Sequence, residues 1–425
     1  MTISISPGIS PGTALRALGA FEKTIDLYMY RNPVQFSLVA RIDRQVSAVT
    51  LARALARLQE RHPLLAASVD RSAVETLYRS AEGAVEVATR AAGTPWQAVV
   101  ATEQTRPIPP EPGPLLRAVL IPGDTDCSVV LTFAHQITDG VGGLQVLLEL
   151  IAALDGGVRE RADGVPRAQE DLLGGRDVRA ETGDAAAPVD SPAEDERMSA
   201  PGELVPFSAL LPHVSALALD RELTTRLVGR CRAEGTSVHA ALCSAASTVF
   251  HRRGRDFVRV LSPVDLRRAA GLPDDVANRF AGARTASEAT RADDFWALAR
   301  RHHESLARQR APHALRAGSA ALSESPPETP EDAEAMMAAV TAADIQITNL
   351  GAAEAYGPVP SSVTALWGPA QITQVRGEHV LGVVTVGGRL RMTELTHDPV
   401  AGLLPEMAAV LAQACAASDR DADPA

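Results

Sequence analysis

The pattern of apolar and polar residues along the first 155 positions predicts a sheet covered by helices. Three segments have the alternating or continuous apolar runs that are typical of strands: residues 34–43, 115–122 and 127–136. Residues 46–62 and 143–154 place apolar side chains every three or four positions, which indicates helices, and Pro63 follows the first of these. Residues 12–27 are expected to form a loop and a short helix.

The later part of the chain has the same arrangement, although it contains no clear sequence repeat. Residues 216–235 predict a strand followed by a helix, and residues 237–254 predict a buried helix. Four apolar segments predict strands of a second sheet: residues 257–267, 344–351, 362–371 and 379–395. Residues 398–417 predict a closing helix, and the stretch 323–334 is expected to be an exposed loop.

A change of composition separates the two parts. Residues 156–205 are rich in Ala, Gly, Pro, Asp, Glu and Arg and lack apolar periodicity. We therefore expect an N-terminal half over residues 1–175, a flexible acidic crossover over 176–205 and a C-terminal half over 206–425.

Composition excludes several classes of function. The 425-residue chain is 46% hydrophobic and only 4% aromatic, and its net charge of -11 argues against nucleic acid or an anionic membrane as the main partner. Lys23 is the only lysine, which removes a P-loop lysine and argues against a pyridoxal Schiff base. The four cysteines form no CxxC pair, so we expect small buried hydrophobes in a reducing compartment. Without a signal-peptide pattern or a long apolar run, a soluble cytoplasmic protein is expected.

His135 is the residue at which the pattern points to chemistry. It ends an apolar strand and precedes Asp139, Gly140 and two further glycines. Asp139 can hold a turn through backbone amides, Gly140 permits a positive φ, and the glycines can bring the backbone close to a ligand. A neutral imidazole with a pKa of about 6.5 suits proton abstraction. The alternative is a hydrogen-bonded histidine of the core.

Other chemistries fit this stretch less well. His135 and Asp139 could be metal ligands on a helix, but the glycines disfavour a helix there and no third ligand is nearby. Gln145 occupies the position of the third glycine of a dinucleotide fingerprint. No Gly-x-Ser-x-Gly occurs, so a serine nucleophile has no support.

Residues 135–140, HQITDG, resemble the HHxxxDG motif of the acyl-CoA-dependent acyltransferase and condensation-domain superfamily. Similar segments lie along the chain in the order of that superfamily: RHPLLAASV (61–69), SPVDLRR (262–268) with ANRFAGA (277–283), and ITNLG (347–351). The combination most resembles polyketide-associated acyltransferases of the phthiocerol dimycocerosyl transferase type. Ala134 stands where condensation domains usually have a first histidine, which weighs against peptide condensation.

The resemblance implies an α/β (α+β) fold. Two chloramphenicol-acetyltransferase-like halves would form a pseudo-dimer, each a mixed sheet covered by helices, with an active-site channel between them. It also implies transfer of an acyl group from an acyl-CoA or acyl-carrier-protein thioester to a hydroxyl of a polyketide or related secondary metabolite. His135 would be the general base, and no cofactor would be permanently bound. A polyketide synthase is a further candidate partner, and a monomer is expected because the fused halves already form the interface.

The family pattern also assigns supporting residues. Asp139 would turn away from substrate and pair with Arg267, whose alternative is a solvated charge beside Arg268. Gly140 would shape the active site, and amides of residues 140–143 are candidate oxyanion donors. The candidates for lining the channel are Gly142, Gly143, Asn278 and Asn349, with turn or strand-end roles as the alternative for the two asparagines.

The remaining histidines and arginines have simpler explanations. His239 is expected to be a helix-start or core residue, and His302 and His303 are expected to be solvated. The arginines around 252–255 and 300–310 could dock an acidic carrier protein, with a solvated face as the alternative.

Two rival functions stay open at this point. An amide-forming condensation-type enzyme would use the same motif. A catalytically silent module would only bind a carrier protein or an acyl chain, although keeping His135, Asp139 and Gly140 together argues against it.

Overall fold

The computed structural model describes residues 12–72, 75–157, 164–174, 192–289 and 294–416, with only the backbone for 192–195. Much of the predicted crossover 176–205 therefore lies outside the described residues. The strands are β1 (Ala14–Ala17), β2 (Gln35–Ile42), β3 (Ala67–Asp70), β4 (Leu77–Ser80), β5 (Glu86–Thr89), β6 (Leu116–Pro122), β7 (Cys127–Ala134), β8 (His213–Ala218), β9 (Phe257–Asp265), β10 (Phe280–Glu288), β11 (Ile345–Ala352), β12 (Val363–Gln371), β13 (Val380–Val386) and β14 (Arg389–Thr396).

Helices cover these strands, and short 3₁₀ helices lie at Pro63–Ala66 and Ala353–Tyr356. The α-helices are α1 (Ala20–Tyr28), α2 (Ala48–Arg61), α3 (Trp96–Gln104), α4 (Gly140–Leu154), α5 (Gln169–Leu173), α6 (Pro192–Ser199), α7 (Arg221–Ala233), α8 (Val238–Arg252), α9 (Leu266–Ala269), α10 (Phe295–Gln309), α11 (Pro312–Glu324), α12 (Pro330–Val340) and α13 (Leu403–Ala416). None of the described helices is long and apolar enough to cross a membrane.

The first large sheet has five strands in the order β12–β2–β7–β6–β5. β2, β7 and β6 pair antiparallel, and β5 joins β6 in parallel. One face of β2 and β7 packs with α2 and α4 into a single apolar cluster. This cluster holds the end of β7, and therefore His135, in a fixed place.

The second large sheet has six strands in the order β10–β9–β11–β13–β14–β8. β11 is parallel to both of its neighbours, and the remaining pairs are antiparallel. α7, α8 and α13 cover one face through a second apolar cluster. Two mixed sheets covered by helices confirm the predicted fold class. A smaller antiparallel sheet, β1–β4–β3, lies beside the first half.

β12 corrects the prediction that residues 362–371 belong to the second sheet. It pairs antiparallel with β2 of the first sheet and crosses β13 at Gly382, where a Cβ would collide with the carbonyl oxygen of Pro369. The C-terminal half therefore supplies an edge strand to the N-terminal half, and the predicted boundary at residue 206 does not separate the sheets.

Two smaller predictions were also wrong. Residues 14–17 form a strand, β1, because they pair with β4. Within 323–334, α12 begins at Pro330 with a capping box between Thr329 and Asp332, so only the middle of this stretch is a loop. All four cysteines are buried and free, as expected.

Candidate active site

His135 lies directly after β7 and is 8% exposed. Its backbone N–H donates to the carbonyl of Val34 at 3.0 Å, so the residue continues the pairing of β7 with β2 for one more position. α4 begins five residues later, at Gly140. The end of a largely buried strand therefore presents the imidazole at the joint between the two halves.

Three side chains fix the backbone around His135. Asn278 Nδ2 donates to the carbonyls of His135 and Gln136, at 2.8 and 2.7 Å, and the Tyr78 hydroxyl donates to Gln136 O at 2.7 Å. The Gln136 side-chain amide donates to Asp26, which pairs with Arg71. Asn278, predicted to line a channel, therefore holds the histidine's main chain. Tyr78 and Asp26 were not predicted, because their partners lie far away in the sequence.

The His135 ring is enclosed by aromatic side chains. Its centroid lies 5.1 Å from that of Phe36 and 5.2 Å from that of Phe280. Burial lowers the pKa of His135, and the opposing effects of its own carbonyl, Asp139 and Asn278 do not cancel this. Nδ1 is buried, which leaves Nε2 as the ring nitrogen that a substrate can reach.

Asp139 forms a buried ion pair with Arg267, as the resemblance implied. Arg267 Nη1 lies 2.9 Å from Asp139 Oδ2, and both side chains are about 5% exposed or less. Arg267 also donates to the carbonyls of Asp275 and Ala277. Burial opposes the charge on Arg267, but the carboxylates of Asp139 and Asp265 outweigh it and raise the arginine's pKa. The pair ties the start of α4 to the C-terminal half.

Asp139 also caps α4. Its Oδ1 accepts from the N–H of Gly142 at 2.8 Å, and the N–H of Gly143 donates to its carbonyl. Of the four backbone amides that are candidate oxyanion donors, those of Gly142 and Gly143 therefore already donate to Asp139. Among the described residues, the N–H groups of Gly140 and Val141 have no acceptor. Both N–H groups lie at the N-terminal end of α4, where the helix dipole is positive.

The glycines of this motif act through packing, which corrects three expectations. Gly140 is the first residue of α4 and has no positive φ. A Cβ on Gly142 would lie 2.5 Å from Thr138 Oγ1 and would also meet the Val276 carbonyl, while one on Gly143 would lie 2.8 Å from Phe36. Gly142 and Gly143 therefore contact protein and do not line a channel. The glycine bend expected after Asp139 is instead the first turn of α4, whereas residues 135–139 are not helical, as expected.

Asn349 and the other histidines lie outside this constellation. Asn349 lies within β11, and its Oδ1 accepts from the N–H of Gly351 at 2.9 Å, a local contact two residues along the chain. His239 is the second residue of α8 and lies 2.8 Å from Ser262 Oγ.

His302 corrects the expectation of a solvated histidine. It is 1% exposed, lies on the buried face of α10 and hydrogen-bonds Thr285 through Nδ1. His303 is half-buried.

A cavity of about 510 Å³ opens at the joint between the halves but does not contain His135. Its lining includes His62, Glu149 and Gln145 from one half and Asp274, Val276 and Arg279 from the other. The histidine of this lining, His62, is already paired with a carboxylate, because its Nε2 lies 2.9 Å from Glu149 Oε2. Asp275, Val276 and Arg279 line the cavity, and Asn278 of the same segment holds the backbone of His135. The cavity is therefore a neighbour of the candidate site. The described residues contain no cluster of His, Cys, Asp and Glu that could hold a metal ion.

Comparisons with known proteins agree with this architecture. Residues 208–391 match the family model described as the phthiocerol/phthiodiolone dimycocerosyl transferase C-terminus. No curated protein matches the sequence. The structure of polyketide synthase associated protein 5 from Mycobacterium tuberculosis matches with a TM-score of 0.66 and 17% identity, covering 96% of this chain and 100% of that chain.

Two further solved structures have the same fold. The first condensation domain of the calcium-dependent antibiotic synthetase matches with a TM-score of 0.64 and 16% identity, covering 96% of this chain and 97% of that chain. SgcC5 protein from Streptomyces globisporus matches with a TM-score of 0.59 and 16% identity, covering 94% and 98%. Residues 208–391 thus resemble the phthiocerol/phthiodiolone dimycocerosyl transferase C-terminus, and the chain has the fold of these solved structures, in agreement with the resemblance found in its sequence motifs.

Proposed function

We propose that this chain is an acyltransferase that moves an acyl group from a thioester to a hydroxyl, with His135 as the general base. The acyl donor is an acyl-CoA or an acyl carrier protein, and the acceptor is a hydroxylated polyketide or related secondary metabolite. No permanently bound cofactor is required, and the protein acts as a monomer. The family model of residues 208–391 supports the acyltransferase class.

The observation that carries the proposal is the state of the His135 ring. The ring is held by a rigid strand end, and burial, which disfavours the charged imidazolium, lowers its pKa. A neutral imidazole is the form that accepts a proton. General-base catalysis of this kind contributes about 10²–10⁴-fold.

The reaction needs no covalent enzyme intermediate, because a thioester carbonyl is already activated. His135 Nε2 removes the proton from the acceptor hydroxyl as its oxygen attacks the thioester carbon. The tetrahedral intermediate then expels the thiolate sulfur, and the imidazolium returns the proton to that sulfur. An ester and a free thiol result.

The negative charge on the tetrahedral oxygen requires hydrogen-bond donors. The N–H groups of Gly140 and Val141 are the candidates, because those of Gly142 and Gly143 are engaged by Asp139. The Asp139–Arg267 pair has a structural role here. It fixes the first turn of α4, from which the free amides project.

The test is acceptor-dependent release of free thiol. Acyl-CoAs of different chain length and acyl carrier protein carrying the same acyl groups are incubated with and without a hydroxylated polyketide, and products are identified by mass spectrometry. We expect thiol release only with acceptor present, together with an ester. An amine substrate converted to an amide at a higher rate would favour the condensation-type function. A folded protein that releases no thiol from either donor class would overturn the proposal.

A further inference from the structure

We propose that Phe280, supported by Phe21, is the specificity-determining wall beside His135, and that it selects substrates with an apolar hydrocarbon group next to the reacting atom. This inference rests on the proposed function of His135, and it adds a substrate class and a residue that sets it.

Aromatic residues are scarce in the chain but concentrated at this point. Only 4% of residues are aromatic, yet four of the eight phenylalanines form one continuous row of rings through His135. Phe133 stacks on Phe36 at 5.2 Å, and Phe21 meets Phe280 edge-to-face at 5.0 Å. The imidazole lies in the middle of this row.

The two sides of the row differ in exposure. Phe36 and Phe133 are both 0% exposed and belong to the core of the first half. Phe21 and Phe280 are half-buried and therefore reachable. A substrate that approaches the His135 ring along this row must then pass Phe280 and Phe21, because the Phe36 side is closed.

α5 holds this accessible side in place. The Gln169 side chain accepts from the Phe280 N–H at 3.2 Å and donates to the Phe280 carbonyl at 3.3 Å. Glu170 Oε1 accepts from the N–H of Phe21 at 2.7 Å. A wall whose backbone is fixed in this way can discriminate by size, because a bulky group cannot push it aside without breaking hydrogen bonds.

The residues around His135 and Phe280 also favour an apolar substrate group. Leu350 and Pro369 pack against Gly140 at the start of α4, and the buried charges of Asp139 and Arg267 are bonded to each other. A polar or charged substrate group placed against the faces of these rings would lose its hydration, and the ring faces offer it no hydrogen-bond partner. A hydrocarbon group gains by leaving water. That group could be the acyl chain of the donor or the body of the acceptor.

The experiment measures binding without turnover, by titration calorimetry. One series is S-alkyl pantetheines with ethyl, hexyl and dodecyl groups, together with S-carboxymethyl pantetheine. The other series is the alcohols ethanol, hexanol and dodecanol. Both are titrated into the wild type, Phe280→Ala and Phe280→Leu. The matched control is Phe257→Ala, since Phe257 lies at the opposite end of the same β9–β10 strand pair.

We expect the wild type to bind alkyl pantetheines in preference to the carboxymethyl compound. Phe280→Ala should change the affinity ratio between the longest and shortest members by about tenfold or more. Phe280→Leu should change it less, and Phe257→Ala should leave it unaltered. A change in the pantetheine series assigns the apolar group to the donor, and a change in the alcohol series assigns it to the acceptor. If Phe280→Ala does not fold, Phe280→Leu carries the comparison.

Unchanged ratios in both series would overturn the inference. Tighter binding of the carboxymethyl compound, or no binding of any member, would do the same. Because the readout requires no reaction, selective binding by a protein that transfers no acyl group would count against the proposed function and leave this inference standing.

Discussion

At the scale of single residues, the motif identified His135, Asp139 and Arg267 but not their surroundings. The ion pair joins residues 128 positions apart, and the Tyr78–Gln136 bond joins residues 58 apart. Pairs of this kind depend on how the sheets are placed, which local periodicity does not encode. Asn278 shows the limit most clearly: its position in the sequence pattern marked it as important, but only the structure shows that it holds the His135 backbone.

The buried pair gives a prediction about stability. Asp139→Asn leaves the Arg267 charge buried without its main partner, so we expect unfolding free energy to fall by about 3–5 kcal/mol. Arg267→Met should cost a similar amount, and the double variant should lose less than the sum of both. Urea unfolding followed by circular dichroism measures this.

The matched control is Glu222→Gln in the exposed Glu222–Arg226 pair of α7, which should change stability little. An Asp139→Asn protein as stable as this control would show that the pair does not hold the two halves together.

At the scale of elements, period and composition predicted most strands and helices, and the errors have physical reasons. α4 begins at the glycines because Asp139 caps it and close packing leaves no room for side chains. His302 shares the buried face of α10 with Trp296, Ala299 and Leu306, at spacings of three and four residues. That spacing was readable from the sequence, but the charged neighbours of His302 masked it.

Two helical glycines give a matched pair of substitutions. Gly142→Ala places a Cβ 2.5 Å from Thr138 Oγ1 and against the Val276 carbonyl, so we expect a loss of about 1–3 kcal/mol. Gly229→Ala in α7 meets nothing within 4 Å and should gain up to about 1 kcal/mol from helix propensity. Thermal unfolding of both variants checks this. Equal effects of the two substitutions would contradict the packing role of Gly142.

At the scale of the whole molecule, the sequence predicted two helix-covered halves but not the way they are joined. β12 has the apolar pattern of any buried strand, and nothing local shows that it pairs with β2 instead of its neighbours in sequence. The Asp139–Arg267 pair and the Asn278 hydrogen bonds cross the same joint. The contacts between the two halves thus position His135, the candidate base. The two halves must therefore stay joined for the protein to be active.

Loss of stability in acid follows from two histidines of the C-terminal half, the buried His302 and the half-buried His239. Burial lowers the pKa of His302 to about 3 and that of His239 to about 4, whereas both are about 6.5 in the unfolded chain. Between these values the unfolded chain binds more protons, so unfolding free energy falls as pH drops below about 6.5. Each histidine contributes a slope of about 1.4 kcal/mol per pH unit.

His302→Asn keeps a donor towards Thr285 but cannot titrate. Its unfolding free energy should therefore fall less steeply between pH 6 and pH 4 than that of the wild type, by the roughly 1.4 kcal/mol per pH unit that one histidine contributes. Urea unfolding at several pH values measures the slope. The exposed His213 provides the control, since His213→Asn should leave the slope unchanged. An unaltered slope in His302→Asn would mean that this group does not control acid unfolding.

Whether His135 is the general base is tested by the rate of thiol release in His135→Ala, with donor and acceptor saturating and folding verified by circular dichroism. We expect a loss of about 10²–10⁴-fold. His213→Ala, which removes an exposed histidine, should retain the wild-type rate. A folded His135→Ala protein that transfers acyl groups at the full rate would show that His135 is not the base.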